Sequence, residues 1–172
     1  MSRLLDFYRG ATDTEGRYLD DIWAWGDDQW EEAHDFIQWL FPLPEPSRFN
    51  PDAPILSAED IHSFRGDPLL QGHLQRSFER ILHFLGLTLT PDGKVVPGDH
   101  FKARAPEVWA YPNHNWLRIT RILRSLTLLG LEGRARALYD RLSEMYSSRR
   151  YPILGDTFCY WTGAVQSTLP RA

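Results

Sequence analysis

The residues best suited to chemistry in this sequence lie in NHNWLRITRILRSL, Asn113 to Leu126. Asn113, His114 and Asn115 open what the pattern predicts to be a helix. Arg118, Arg121 and Arg124 then recur at every third position. The first amides of a helix lack intrahelical acceptors and the helix dipole adds positive potential there, so an anion is favoured. A carboxylate or phosphate held by those amides, Arg118 and Arg121 is one chemistry this stretch supports. The other is internal: Asn113 caps the helix and the arginines pair with acidic side chains of the fold. Both readings stay open at this level.

A second polar set sits among bulky apolar residues in HDFIQWLFP, His34 to Pro42. His34 and Gln38 are four apart, hence on one face of an expected helix, and Trp39 adjoins them. Binding pockets combine apolar walls with a few orienting polar groups. The candidate ligand-binding set is therefore His34, Gln38, Trp39, Asn113, His114, Asn115, Arg118 and Arg121, and an anionic group is the chemistry it suits. The competing reading places His34 and Gln38 inside an aromatic core, hydrogen-bonded and covered.

Other chemistries find less support. The six histidines at 34, 62, 73, 83, 100 and 114 include no pair three or four apart, so no metal site is expected. No cofactor is expected either, because neither a P-loop nor a dinucleotide fingerprint occurs. The lone cysteine, Cys159 in TFCYWTGAV, excludes an intrachain disulfide and reads as a small buried core residue. Asp20–Asp21 and Asp27–Asp28 read as helix starts, where acidic groups are favoured. No catalytic residue is assigned. An enzyme using His34 or His114 as base is kept as an alternative, although neither has a visible partner.

Charge is uneven along the chain. Residues 1–60 are strongly acidic, residues 101–150 are basic, and only Lys94 and Lys102 among the cationic residues are not arginine. That basic half raises nucleic-acid binding as a further alternative. The formal net charge of −4 and the lack of a recognised motif weigh against it. The N-terminus does not read as a signal peptide and no apolar run approaches the roughly 20 residues of a membrane span. A soluble, cytoplasmic protein without membrane insertion is the expectation.

These residues must be positioned by helices separated by proline and glycine turns. The spacing predicts short helices over residues 2–9 and 17–25, and one from Asp28 to Phe41 that Pro42 ends. Pro42, Pro44, Pro46, Pro51 and Pro54 predict an extended strap over residues 42–56. Ser57 with Asp60 predicts a capped helix, and Asp67–Pro68 predicts another, with stripe Leu70, Leu74, Phe78, Ile81, Leu85 and stop Gly86. LTLTPDGKVVP predicts two very short strands around a turn. An irregular loop, the Asn113-capped helix to Gly130, and helices near 133–148 and 156–168 complete the chain. The expected fold is mainly α: a compact single-domain multi-helix bundle over residues 1–172, with a proline-rich strap and at most one very short β-hairpin at about 87–96.

HDFIQWLFP, FNPDAPILS and NHNWLRITRILRSLTLLGL, with FYR, YLDDI, ILHFLGLTL and YWTGAV in support, resemble the signature blocks of the opioid growth factor receptor conserved domain. These blocks run from Phe7 to Val165. The resemblance implies a receptor-like, signalling or binding role, because animal members are described as receptors for the opioid peptide Met-enkephalin. It supplies no catalytic residues. Two functions follow as expectations: a module binding a small molecule or peptide, and a protein–protein interaction scaffold with Trp23 and Trp25 on its partner surface.

Overall fold

Proline and glycine set most element boundaries in the computed structural model, which describes residues 2–48 and 50–168. Among these, ten helices and one two-stranded antiparallel hairpin account for the regular structure, so the fold is mainly α as expected. Contacts sort the chain into two units, one reaching Ser77 and the other starting at Phe78.

The first unit holds α1 (Arg3–Tyr8), α2 (Leu19–Ala24), α3 (Asp27–Glu32), α4 (Ile37–Leu40), α5 (Ala58–Gly66) and the start of α6 (Pro68–Phe84). Its core is aromatic. Phe7 meets Trp39 edge to face at 5.2 Å, Tyr8 meets Phe64 at 4.7 Å, and Trp30 meets Phe36 at 4.8 Å. Such edge-to-face pairs add to the burial of large rings. Buried polar tips find acceptors: the Tyr8 hydroxyl donates to the Leu40 carbonyl at 2.5 Å, and Trp30 Nε1 donates to Ile22 O at 2.9 Å.

The helix expected from Asp28 to Phe41 is two helices instead. Ala33 is extended and residues 33–36 leave the helical path. Two anchors account for the break. Arg17 holds the Asp35 carboxylate with both guanidinium nitrogens, at 3.0 and 3.2 Å, and also reaches Asp13 at 2.7 Å. Phe36 is drawn between the rings of Trp25 and Trp30. A tertiary ion pair and ring packing together outweigh the local helical periodicity, which is only a weak prior.

The proline strap follows α4 as expected and is irregular. It is pinned at three places: Leu56 N donates to Leu43 O at 3.0 Å, Asn50 Nδ2 donates to Asp35 O at 3.2 Å, and Ser47 Oγ accepts from Asn50 N at 3.2 Å. Ser57 and Asp60 then make the reciprocal capping box that starts α5. The helix at Ser2 begins without a side-chain cap bond, so Ser2 contributes only its carbonyl.

The second unit begins within α6 and turns at Gly86, whose φ of +80° is the left-handed conformation that ends helices. A Cβ there would lie 3.1 Å from the Phe101 Cα. The hairpin pairs β1 (Leu87–Leu89) with β2 (Val95–Pro97) in the register Leu87↔Pro97, Thr88↔Val96, Leu89↔Val95. The expected loop after it contains a further helix, α7 (Phe101–Val108), with Pro106 inside it. Lys102, whose carbonyl loses its helical donor to that proline, is exposed, so water can replace the bond. Helices α8 (His114–Leu128), α9 (Glu132–Ser147) and α10 (Gly155–Val165) pack on one another, and β2 lies against α9.

Two sequence expectations fail on burial. Cys159 is exposed, because α10 buries the face of Trp161, Ala164 and Val165, and a residue two before Trp161 points about 200° away. Trp23, expected on an exposed partner surface, is only 8% exposed, with its indole N–H bonded to Ser77 Oγ at 3.0 Å. No helix among the described residues is long and apolar enough to cross a membrane.

Candidate functional site

The start of α8 is built around one side chain. Asn113 Oδ1 accepts from the Asn115 amide at 3.0 Å, which caps the helix. Its Nδ2 donates to Val108 O at 3.0 Å and Tyr111 O at 2.8 Å, which ties the cap to the end of α7. Asn115 is fully buried, and its Oδ1 accepts from Arg118 Nη1 at 3.2 Å. Arg118 is itself 7% exposed, whereas Arg121, Arg124 and His114 are half-buried. The three arginines thus do not share one environment: the first lies in the interior and the next two reach the rim. Chemically, this end offers a positive interior group, a helix start and two partly accessible side chains, His114 and Arg121.

The other sequence-derived group belongs to the first unit. His34 lies in the break between α3 and α4 and is exposed. It is therefore not one helical turn below Gln38. Gln38, 4% exposed, turns its amide nitrogen to the carbonyls of His34 and Asp35, 3.2 Å from each. The remaining amide atom meets Ser47 Oγ of the strap at 3.5 Å. Trp39 is buried, with the Arg3 guanidinium 5.6 Å from its ring centre. Backbone groups that left the helix at residues 34 and 35 are satisfied by Gln38, which explains a buried amide among bulky rings.

A cavity that the sequence reading did not find lies on the first unit. It measures about 330 Å³ and is lined by Gly10, Tyr18, Leu19, Asp20, Asp21, Trp23, His73 and Arg76. Asp20 and Asp21 stand in the first turn of α2, where Asp21 Oδ2 accepts from Tyr18 N at 2.9 Å. His73 and Arg76 are one turn apart on α6. His73 Nδ1 lies 2.7 Å from the Tyr8 carbonyl and must donate to it, so in the neutral ring Nε2 is the acceptor. The His73 ring meets Trp23 edge to face at 5.5 Å. Arg76 lays its guanidinium over the Trp23 ring, 4.1 Å from the centroid, and donates to Asp20 Oδ1 at 3.2 Å. Tyr18, at 51% exposure, stands at the rim.

Taken one at a time in the sequence, Asp20 and Asp21 read as helix-start acids, Trp23 as an exposed aromatic and His73 as a histidine without a metal-binding partner. A signal was present in the spacing: Asp20 and Trp23, and His73 and Arg76, each stand three apart and so share a helix face. Only the fold brings the two pairs together. On the second unit, a cavity of about 390 Å³ runs along β2 and α9 past Lys94, Arg136, Asp140, Arg141 and Glu144. Its charges are largely answered internally, with Arg141 on Glu144 at 2.8 Å and Lys94 on Asp92 at 3.0 Å. Among the described residues no cluster of three or more His, Cys, Asp or Glu is placed to hold a metal ion.

Comparison with known proteins adds the following. Residues 3–171 match the family model of the opioid growth factor receptor conserved region. Over 135 residues, 74% of this chain, the sequence is 37% identical to the opioid growth factor receptor of Mus musculus and equally to that of Homo sapiens. It is 32% identical over 122 residues, 69% of this chain, to opioid growth factor receptor-like protein 1 of Mus musculus. The matched stretch covers 21%, 20% and 26% of these three relatives, so the chain spans about a quarter of their length or less. No solved structure matches.

Proposed function

Because the chain belongs to the opioid growth factor receptor conserved-region family, we propose that it is a peptide-binding module whose ligand site is the cavity on the first unit. Relatives named opioid growth factor receptor support a peptide as the class of ligand, and the cavity supports the first unit as its location. The observation that carries the reading is the convergence of Tyr18, Asp20, Asp21, Trp23, His73 and Arg76 around about 330 Å³. Two aromatic side chains give apolar wall, and two carboxylates, an imidazole acceptor and a guanidinium give orientation. That mixture, in a concavity of this size, suits a short peptide segment or a small molecule.

The residues singled out from the sequence enter the proposal by their exposure. His34 on the first unit is exposed, and His114 and Arg121 on the second are half-buried; at the start of α8, taken by itself, an anion is the chemistry that suits. Gln38, Trp39, Asn113, Asn115 and Arg118 hold their own surroundings in place. The expectation of one domain over residues 1–172 stays part of the reading, with α6 continuous where the two units divide.

The test is a thermal-shift screen of short peptides, followed by titration calorimetry of the hits against wild type and Tyr18→Ala. Tyr18 is exposed, so its truncation should change stability little. Hits that lose affinity severalfold in Tyr18→Ala support the reading. A screen without hits, or hits indifferent to Tyr18→Ala and Arg76→Glu alike, would remove it.

A further inference from the structure

The cavity of the first unit already contains a ligand-like group, Arg76. Its guanidinium stacks over the Trp23 indole at 4.1 Å and donates one hydrogen bond to Asp20 at 3.2 Å. The Arg76 side chain is nevertheless 60% exposed and that of Asp20 is 80% exposed. A surface ion pair between long, solvated side chains is held weakly, and an exposed cation–π contact adds little more. The group is seated, yet a competitor can lift it out.

What lies beneath it is rigid. The Trp23 indole is fixed by its hydrogen bond to Ser77 and by the edge of the His73 ring. His73 is fixed in turn by its bond to the Tyr8 carbonyl, which in the neutral ring leaves Nε2 as an acceptor. Asp20 Oδ1 takes the bond from Arg76 and Asp21 Oδ2 takes the Tyr18 amide, so each carboxylate keeps one oxygen open among the described residues. With Arg76 swung away, the cavity presents an indole face, two carboxylates and an imidazole acceptor, with no cation to balance them. Those are the partners of a planar, multiply donating cation, for which guanidinium fits better than ammonium because it stacks and forks.

We infer that the cavity recognises an arginine side chain of a peptide ligand, which displaces Arg76 from Trp23 and Asp20, so that Arg76 acts as a built-in competitor. This rests on the peptide-binding reading above and names its ligand class. Two carboxylates and one acceptor repel an anionic side chain at the same place. A neutral glutamine side chain keeps the donors but loses the charge and the fork.

The experiment follows the Trp23 indole N–H cross-peak in ¹H–¹⁵N spectra, assigned with Trp23→Phe. The probes are acetyl-Gly-Arg-Gly-amide, acetyl-Gly-Lys-Gly-amide and acetyl-Gly-Gln-Gly-amide. They are titrated into wild type, Arg76→Ala and Arg76→Ala with Asp20→Asn. The arginine probe is expected to shift the cross-peak in wild type. It should bind about tenfold tighter in Arg76→Ala, from the combined loss of the weak ion pair and cation–π contact that compete with it. Asp20→Asn should return most of that gain, and the glutamine probe should shift nothing. Equal shifts from the glutamine or lysine probe overturn the arginine inference while leaving peptide binding intact. Unchanged affinity in Arg76→Ala overturns the displacement. No shift from any probe in any variant overturns both the inference and the reading it rests on.

Discussion

Asn113 carries a prediction that separates its structural work from any role in binding. Asn113→Ala removes the cap on the Asn115 amide and three further donated bonds, to Val108 O, Tyr111 O and, at a longer 3.4 Å, Glu107 O. The cap contributes about 1 kcal/mol, within a range of roughly 0.5–2. The donated bonds contribute less. Val108 O still receives Trp116 Nε1 at 2.9 Å, and Tyr111 is exposed, so water can serve its carbonyl. The total is about 1–2 kcal/mol, which for a chain of this size lowers Tm by about 2–8 °C. Asn113→Asp keeps the acceptor and adds a negative charge at the helix start, where it is favourable by about 0.3–1 kcal/mol. Its stability should lie within about 0.5 kcal/mol of wild type, the gained charge offsetting the lost donors. Urea denaturation of the three proteins measures both values. Asn113→Asp as damaging as Asn113→Ala would refute the reasoning, because the donor bonds would then dominate. The same aspartate tests the anion contact: it places a fixed charge where a ligand's carboxylate would sit, so anion-dependent binding at this end should fall without unfolding.

Other expected outcomes follow from single residues. Gly86→Ala should cost about 1–3 kcal/mol in denaturant titration, since φ is +80° and the new Cβ meets the Phe101 backbone at 3.1 Å. Burial pushes the Tyr8 hydroxyl well above the ordinary tyrosine value. Folding therefore favours the protonated phenol: its contribution is full below the unfolded value near 10 and is lost as pH rises beyond it. Tyr8→Phe should cost about 1–2 kcal/mol at neutral pH through the stranded Leu40 carbonyl, and should flatten the alkaline decline measured by denaturation between pH 9 and 11. Gln38→Met should cost about 1 kcal/mol, by removing the amide donor to the His34 and Asp35 carbonyls, of which Asp35 O keeps the Asn50 amide. It should also make the strap the first site of limited proteolysis, read by mass spectrometry.

Much of the fold was legible because local chemistry decided it. Ser57 with Asp60, Asp67 before Pro68, the Pro-Asp-Gly turn and the Asn113 cap each mark a boundary with a backbone group that must be satisfied, and the elements fall where those groups are. The failures have a common cause in tertiary contacts. The run from Asp28 to Phe41 has helical spacing, yet Arg17 pulls Asp35 out of it, and nothing in the spacing encodes a partner eighteen residues away. The stretch before Asn113 reads as an irregular loop, yet it holds a short helix that tolerates Pro106 with its freed carbonyl in water. Cys159 carried the apolar composition of its helix without its buried phase.

The candidate site was legible in part. Asn113, Asn115 and Arg118 stood out because they are unusual where they occur, and the structure gives them structural partners. The cavity residues stood out less, since each has an ordinary reading alone. Asp20 belongs to a helix start, and His73 is one of six histidines with no partner three or four residues away. Their meaning comes from α2 and the start of α6 lying together within the first unit, a relation between residues fifty or more apart.

The most direct test of the account is a crystal structure of Arg76→Ala soaked with acetyl-Gly-Arg-Gly-amide. The account predicts guanidinium density stacked on Trp23 and forked between Asp20 and Asp21, with His73 Nε2 in hydrogen-bond reach. An empty cavity at saturating peptide, or a peptide seated elsewhere with Trp23 and both carboxylates untouched, would contradict it.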